Sequence, residues 1–118
     1  MKKLAFLLLM LFLGAAALLA QDNYYQQQAE RYQREAEYYQ HQAESYRREA
    51  AYYLKKAESY QRKAAYYTQR EDLDRAQNYT RYTENELDKY KTYLRYASQA
   101  DDKATQYLRW AADALRKV

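Results

Sequence analysis

Three consecutive 14-residue units decide the fold: AERYQREAEYYQHQ (29–42), AESYRREAAYYLKK (43–56) and AESYQRKAAYYTQR (57–70). Each unit is two heptads, labelled abcdefg, with Ala at a and Tyr three residues later at d. Apolar residues spaced three and four apart form one stripe along a helix that winds around a partner. The repeat therefore predicts a long helix with a left-handed supercoil. Its predicted contact seam comprises Ala29, Tyr32, Ala36, Tyr39, Ala43, Tyr46, Ala50, Tyr53, Ala57, Tyr60, Ala64 and Tyr67.

A second Tyr precedes the d Tyr in every unit, at position c: Tyr38, Tyr52 and Tyr66. Successive c rings are 14 residues apart, which is about 21 Å along a helix. In a two-helix structure position c lies outside the seam, so these residues are predicted to form an exposed ladder that binds a partner. In a bundle of three or four helices the same rings would instead widen the seam.

The second half of the chain has a weaker heptad pattern, with Leu at a and mostly Ala at d. Its predicted seam positions include Leu87, Leu94, Leu108 and Leu115. This frame is displaced by two residues from the first, and one straight seam cannot serve both. The break is predicted within TQREDLD (68–74), where Asp72 and Asp74 are candidate helix N-caps. Trp110, near the C-terminus, is predicted either to form a docking patch or to pack in the core of a larger bundle.

The two halves, 21–70 and 71–118, predict an all-α fold: a long antiparallel helical hairpin of coiled-coil type. The alternative is one continuous long helix in an oligomeric coiled coil, which the absence of Gly and Pro from both halves favours. A hairpin with so few aliphatic residues buries little apolar surface. Self-association into a homo-oligomer is expected in either case.

The first 20 residues, MKKLAFLLLMLFLGAAALLA, have the three parts of a secretory signal: a basic pair, an apolar run and a stretch of small residues. The prediction is a cleaved signal peptide over 1–20 and an exported protein, periplasmic or extracellular. The alternative is an uncleaved anchor in the inner membrane. The chain has no Cys, which excludes disulfides and thiol chemistry.

Composition excludes a globular enzyme. After residue 20 the chain holds six Leu, one Val and no Ile, Phe, Met, Gly or Pro. No Gly-rich phosphate loop or nucleophile motif can be built from these residues, so no catalytic residue and no cofactor are predicted. His41 falls at the outward f position beside Glu37, a pattern typical of a solvated pair and not of a metal site. Basic and acidic residues are interspersed, so no nucleic-acid partner is predicted.

The sequence thus favours an exported bacterial structural protein that self-associates through its seams into a bundle or filament. Its partners are predicted to be further copies of itself, together with an envelope or surface protein or glycan. One alternative is a secreted helical adhesin or binding module that uses Tyr38, Tyr52, Tyr66 and Trp110. Another is an envelope spacer held in the membrane by residues 1–20, the one case in which membrane contact is expected.

Overall fold

The structure, a computed structural model, describes residues 23–118. It contains two helices, α1 (Asn23–Gln69) and α2 (Leu73–Arg116). The predicted all-α helical hairpin is confirmed, and the alternative of one continuous helix is wrong because a turn separates α1 from α2. The predicted signal peptide or anchor lies outside the described residues. No helix within 23–118 is both long enough and apolar enough to cross a bilayer.

The turn has the hydrogen bonds of a Schellman motif, which satisfies the last carbonyls of α1. The backbone N–H of Asp72 donates to the carbonyl of Tyr67 at 2.9 Å, and that of Glu71 donates to the carbonyl of Thr68 at 3.1 Å. Asp72 then caps α2, because its Oδ1 accepts from the backbone N–H of Arg75 at 3.3 Å. The break falls inside the predicted segment, and Asp72, one of the two candidate caps, occupies the N-cap position.

Glu71 takes the left-handed conformation of this motif, with φ of 62°. A side chain with a Cβ pays a steric penalty there that glycine does not. Relief of a penalty of about 1–2 kcal/mol exceeds the entropic cost of glycine, about 0.5–1 kcal/mol. Glu71→Gly is therefore expected to raise the free energy of unfolding by about 0.5–1 kcal/mol, measured by urea denaturation followed by circular dichroism. Glu71→Ala is the control, since it keeps the Cβ and is expected to change stability little. Equal effects of the two substitutions would contradict the backbone explanation.

Contacts divide the chain into two compact units. Unit 1 comprises 23–42 and 99–118 of the described residues, and unit 2 is Ala43–Ser98. In each unit a segment of α1 packs antiparallel against a segment of α2. Every buried apolar residue of the described chain is an alanine: Ala29, Ala36, Ala43, Ala50, Ala57, Ala64, Ala76, Ala97, Ala100, Ala104, Ala111 and Ala114.

The face that α2 turns toward α1 agrees with the prediction at position d and departs from it at position a. Two central rows face α1, and their members are all buried or half-buried: Ala76, Thr83, Tyr90, Ala97, Ala104 and Ala111 in one, and Tyr79, Glu86, Tyr93, Ala100, Tyr107 and Ala114 in the other. The predicted d residues of α2 therefore do lie in the interface. The predicted a residues form a flanking leucine row, in which Leu73 and Leu94 are exposed and Leu87, Leu108 and Leu115 are half-buried. The reason is steric, because α1 presents small Ala side chains that bring the helices close together and leave no room for central leucines.

Candidate binding surface

Tyrosines fill the space beside the alanine contacts, in clusters that repeat every 14 residues. In unit 2 the ring of Tyr53 stacks on Tyr93, with centroids 5.4 Å apart and planes 18° from parallel. Tyr46 contacts both Tyr93 and Tyr96, and these two meet edge to face at 84°. The second cluster of unit 2 repeats these contacts with Tyr67, Tyr60, Tyr79 and Tyr82, and unit 1 does so with Tyr39, Tyr32, Tyr107 and Trp110.

The c tyrosines stand on the outer side of these clusters. Tyr38, Tyr52 and Tyr66 are 52%, 54% and 49% exposed. Each meets the d ring that follows it edge to face, with centroids 5.1–5.2 Å apart. The hydroxyl of Tyr38 accepts from Nε2 of Gln42 at 2.7 Å. Tyr24 continues the row in unit 1, with 63% of its surface exposed.

A row on α2 alternates basic and aromatic residues every seven positions: Arg75, Tyr82, Lys89, Tyr96, Lys103, Trp110 and Lys117. Each basic member lies over a ring of α1. The Nζ of Lys89 is 5.4 Å from the centroid of Tyr53, and that of Lys103 is 5.2 Å from Tyr39. Arg75 and Lys117 lie in the same way over Tyr67 and Tyr25. The aromatic members rest against the remaining d tyrosines, so the row caps the clusters along one side of each unit.

Together these side chains form a tyrosine–cation face in unit 2. On α1 the face comprises positions c and g, and Arg70 continues the g row into the turn. On α2 it comprises two rows of residues spaced seven apart, which begin at Arg75 and Asn78. Its members are Ser45, Glu49, Tyr52, Lys56, Ser59, Lys63, Tyr66, Arg70, Arg75, Asn78, Tyr82, Asn85, Lys89, Thr92 and Tyr96. All five basic members lie over tyrosine rings, the closest being Arg70, whose guanidinium carbon is 4.2 Å from the centroid of Tyr66. Such contacts hold the cations at fixed positions at the surface.

Electrostatics within the rings disfavour ionisation at the cluster centre. The pKa of Tyr93 is raised above its ordinary value, chiefly by its neighbour Tyr53 and then by burial, Glu49 and Tyr96. A phenolate there would lie beside other phenols and a carboxylate, which disfavour a second negative charge. The raised pKa favours the neutral phenol of Tyr93, which acts as a packing group.

Glu86 interrupts the alanine pattern of α2, because the positions 14 and 28 residues further along are Ala100 and Ala114. Its side chain is 9% exposed, and its Oε1 lies 3.9 Å from the Nζ of Lys56 and 3.5 Å from that of Lys89. Its Oε2 is buried without a hydrogen-bond donor. Burial of a half-satisfied carboxylate costs free energy that two solvated ammonium groups recover only in part.

Glu86→Ala is accordingly expected to raise the free energy of unfolding by about 1 kcal/mol, measured by urea denaturation. The substitution removes the buried oxygen and leaves both lysines in solvent, and the repeat already accepts Ala at this position. Glu84→Ala, two residues away on the exposed surface, is the control and is expected to stay within about 0.5 kcal/mol of the wild type. A destabilised Glu86→Ala variant would show that the ion pairs outweigh the burial cost.

Trp110 lines a groove of about 280 Å³ in unit 1, with Gln28, Tyr32, Asp113, Ala114 and Lys117. The ring of Trp110 is 42% exposed and meets Tyr107 at 90°. The groove is open and lies between the side chains of two helices. Its lining includes the rings of Tyr32 and Trp110, so the groove presents an aromatic surface.

The structure brings the predicted Ala and Tyr seam residues of α1 together with α2 of the same chain. It places Tyr38, Tyr52, Tyr66 and Trp110 at the surface, while Leu94 lies on a flank. Whether any of these residues bind a partner or another copy stays a prediction. Sequence reasoning did not place Tyr79, Tyr93 and Tyr107 between the helices, although their 14-residue spacing matches the spacing of the repeats in α1. His41 is exposed, and the described part of the chain holds no cluster of three metal-ligating groups.

No model of a known protein family, no curated protein and no solved structure matches this chain. Function is therefore inferred from the surface chemistry of the described residues. Three features are available for that inference: a core made of alanine, a flanking leucine row, and exposed aromatic rings with ordered cations.

Proposed function

We propose that the chain is an exported, non-catalytic structural protein that self-associates into a bundle or filament. The observation that carries the proposal is the alanine core of the described residues. No large side chain of this core is fully buried, and nine large apolar side chains are 40–68% exposed. Fully burying a Leu or Phe side chain stabilises a protein by about 1.5–3 kcal/mol, so an all-alanine core forgoes the largest part of that term. Association of copies would supply it.

The leucine row of α2 is the surface best suited to this association. Leu87 is half-buried and Leu94 is 40% exposed in unit 2. The Ala and Tyr rows are already engaged between α1 and α2, so they are not free for a second copy. A helical hairpin that retains a row of aliphatic residues on one helix can complete a core by pairing with a second hairpin into a four-helix bundle. The proposed assembly therefore uses the leucine row of α2 and not the Ala/Tyr seam that the sequence predicts.

The test measures the molar mass of residues 21–118 by light scattering across a concentration series. The wild type is expected to exceed the monomer mass, and Leu87→Gln with Leu94→Gln is expected to reduce it to a monomer with unchanged helicity. The control is Tyr52→Gln with Tyr66→Gln, which lies on the other face and is expected to keep the wild-type mass. If the double leucine variant loses helicity, Leu94→Arg alone tests the exposed position. A wild type that stays monomeric throughout would reject the proposal.

Export itself is tested by the intact mass of the protein recovered from cells. Loss of residues 1–20 is expected for a cleaved signal, followed by release to the periplasm or exterior. A mass that includes these residues would favour the inner-membrane anchor and an envelope spacer.

A binding module or adhesin is the second candidate, and the exposure of Tyr38, Tyr52 and Tyr66 favours it. Aromatic rings that are half-exposed in regular rows are typical of recognition surfaces. The two candidates use different faces and are compatible in one molecule. An envelope protein, a surface protein or a glycan are the partner classes that the sequence predicts for this face.

A further inference from the structure

The net positive charge of unit 2 is concentrated on the tyrosine–cation face. The members of the face include five basic residues and one acidic residue, a net charge of +4, of which one charge is offset by Glu86, buried against Lys56 and Lys89. The rest of unit 2 carries seven basic and eight acidic residues, a net charge of −1. The sequence alone shows interspersed charges, and the asymmetry appears only when the two helices are placed side by side. A partner that is negatively charged is therefore favoured on this side.

The residue types of the face further restrict the class of partner. Its apolar surface consists of tyrosine rings alone, and its members include no aliphatic residue. All four leucines of unit 2, Leu54, Leu73, Leu87 and Leu94, lie outside the face. Tyrosine and tryptophan prefer the headgroup level of a bilayer, where the ring is half-buried and the hydroxyl stays hydrated. Lysine and arginine beside them are attracted to anionic headgroups.

The arrangement of the rings fits an extended surface better than a single stacked ligand. Tyr52 and Tyr66 are separated by 14 residues, about 21 Å along the helix. A cation lies over each of these rings, Lys56 over Tyr52 and Arg70 over Tyr66. Base stacking requires open aromatic faces, which these cations obstruct. What the face offers is a broad array of fixed positive charges with amphipathic rings between them.

We propose that the tyrosine–cation face lies flat on a membrane surface that contains anionic phospholipids. The rings sit at the headgroup level and the five cations contact lipid phosphates, with no segment of the hairpin crossing the bilayer. This contact is separate from any N-terminal anchor, and it leaves the leucine row free for a second copy. It goes beyond the proposed function, since a self-associating hairpin need not bind lipid.

The test is co-sedimentation of the full chain with vesicles of phosphatidylcholine alone and of phosphatidylcholine mixed with phosphatidylglycerol. The readout is the ratio of the two partition coefficients, because binding through residues 1–20 is common to every variant. The face variant is Lys63→Gln with Arg70→Gln. The matched control is Lys55→Gln with Arg62→Gln, which removes the same charge from exposed positions of α1 outside the face.

The wild type is expected to prefer the anionic vesicles, and the preference is expected to fall as salt is raised. Two cations at the membrane surface together correspond to roughly 30-fold in partitioning, which is the loss expected for the face variant, against less than threefold for the control. Tyr52→Gln with Tyr66→Gln should also weaken anionic binding while the molar mass is retained. Circular dichroism of each variant confirms that the hairpin is intact.

Equal losses in the face and control variants would overturn the proposal, because they would indicate non-specific attraction by net charge. Absence of any preference for the anionic vesicles would also overturn it. So would retention on an immobilised acidic polysaccharide that exceeds vesicle binding and depends on the same residues, since the partner would then be a glycan. None of these outcomes changes the oligomer measured with the leucine variants, so the two proposals fail independently.

Discussion

Replacing Tyr39, Tyr53 and Tyr67 together with Ala is expected to unfold the hairpin. Each of these d rings stacks on a tyrosine of α2 at 5.4–5.7 Å and also meets the c ring beside it. A basic side chain of α2 also lies over the aromatic ring of each of these tyrosines. Removing a large buried aromatic costs about 3–5 kcal/mol, and a half-buried one about 2 kcal/mol. Three such losses approach the whole stability of a typical small domain, about 5–15 kcal/mol.

The control has the same number of Tyr→Ala substitutions one residue earlier, at Tyr38, Tyr52 and Tyr66. These rings are about half-exposed and make no ring contact with α2, so each is expected to cost at most about 1 kcal/mol. Circular dichroism with thermal denaturation separates the variants: the d triple loses helicity at 25 °C, and the c triple keeps it with a modestly lower melting temperature. If both triple variants behaved alike, the assignment of d to the interface and c to the surface would be refuted.

The fold of α1 was predictable because one repeat fixes it. Ala29 and Tyr32 begin a pattern in which both residue types keep their positions over six heptads, and the structure buries every Ala at position a while leaving each d Tyr half-buried. A pattern this regular specifies which side of the helix faces inward. The change of frame predicted a break between the two helices and left a continuous helix as the alternative, and Asp72 was one of two candidate caps for the helix that follows.

The inward face of α2 is predictable from the sequence at position d only, because a heptad frame drawn through the leucines follows hydrophobicity. Leu87 and Leu94 are the most apolar residues of that segment, and a heptad drawn through them is continuous. The size of the side chains determines which residues of α2 face α1, since α1 presents Ala at every a position. The complementary surface therefore has small residues such as Ala97 and Ala100 facing alanine, with Tyr93 filling the space at the side. The sequence contains this second repeat, but recognising it requires knowing the shape of the first helix.

The candidate surface was predictable only in part. Position c placed Tyr52 and Tyr66 outside the seam, which agrees with their exposure. The cations over these two rings, Lys56 and Arg70, follow them by four residues in the sequence. Lys89 and Arg75 lie instead over Tyr53 and Tyr67, and those contacts are not predictable from the sequence because they join α2 to α1 and depend on the register of the two helices. Along the sequence, basic and acidic residues alternate. The net charge of one side of the hairpin depends instead on which rows of α1 and α2 the antiparallel packing places next to each other.

The second large effect is expected at the alanines that set the distance between α1 and α2. Ala43 is 0% exposed and Ala57 is 2% exposed in unit 2. Leu has nearly the helix propensity of Ala, so Ala43→Leu with Ala57→Leu changes packing and little else. Overpacking a close contact costs about 1–3 kcal/mol per site, and the pair is expected to lower the free energy of unfolding by about 2–6 kcal/mol. Urea denaturation of residues 21–118 measures this loss.

Ala51→Leu with Ala65→Leu provides the matched control, since both residues are exposed at position b of the same helix. These substitutions are expected to change stability by no more than about 0.5 kcal/mol each. If the buried pair were as stable as the exposed pair, the helices could separate by the width of a leucine without cost, and the tyrosine clusters could not depend on their close approach. A large loss confined to Ala43 and Ala57 would instead show that the alanine contacts hold the rings of Tyr53 and Tyr93 in register. The arrangement of the aromatic surface would then depend on the close approach of the two helices that the small alanine side chains permit.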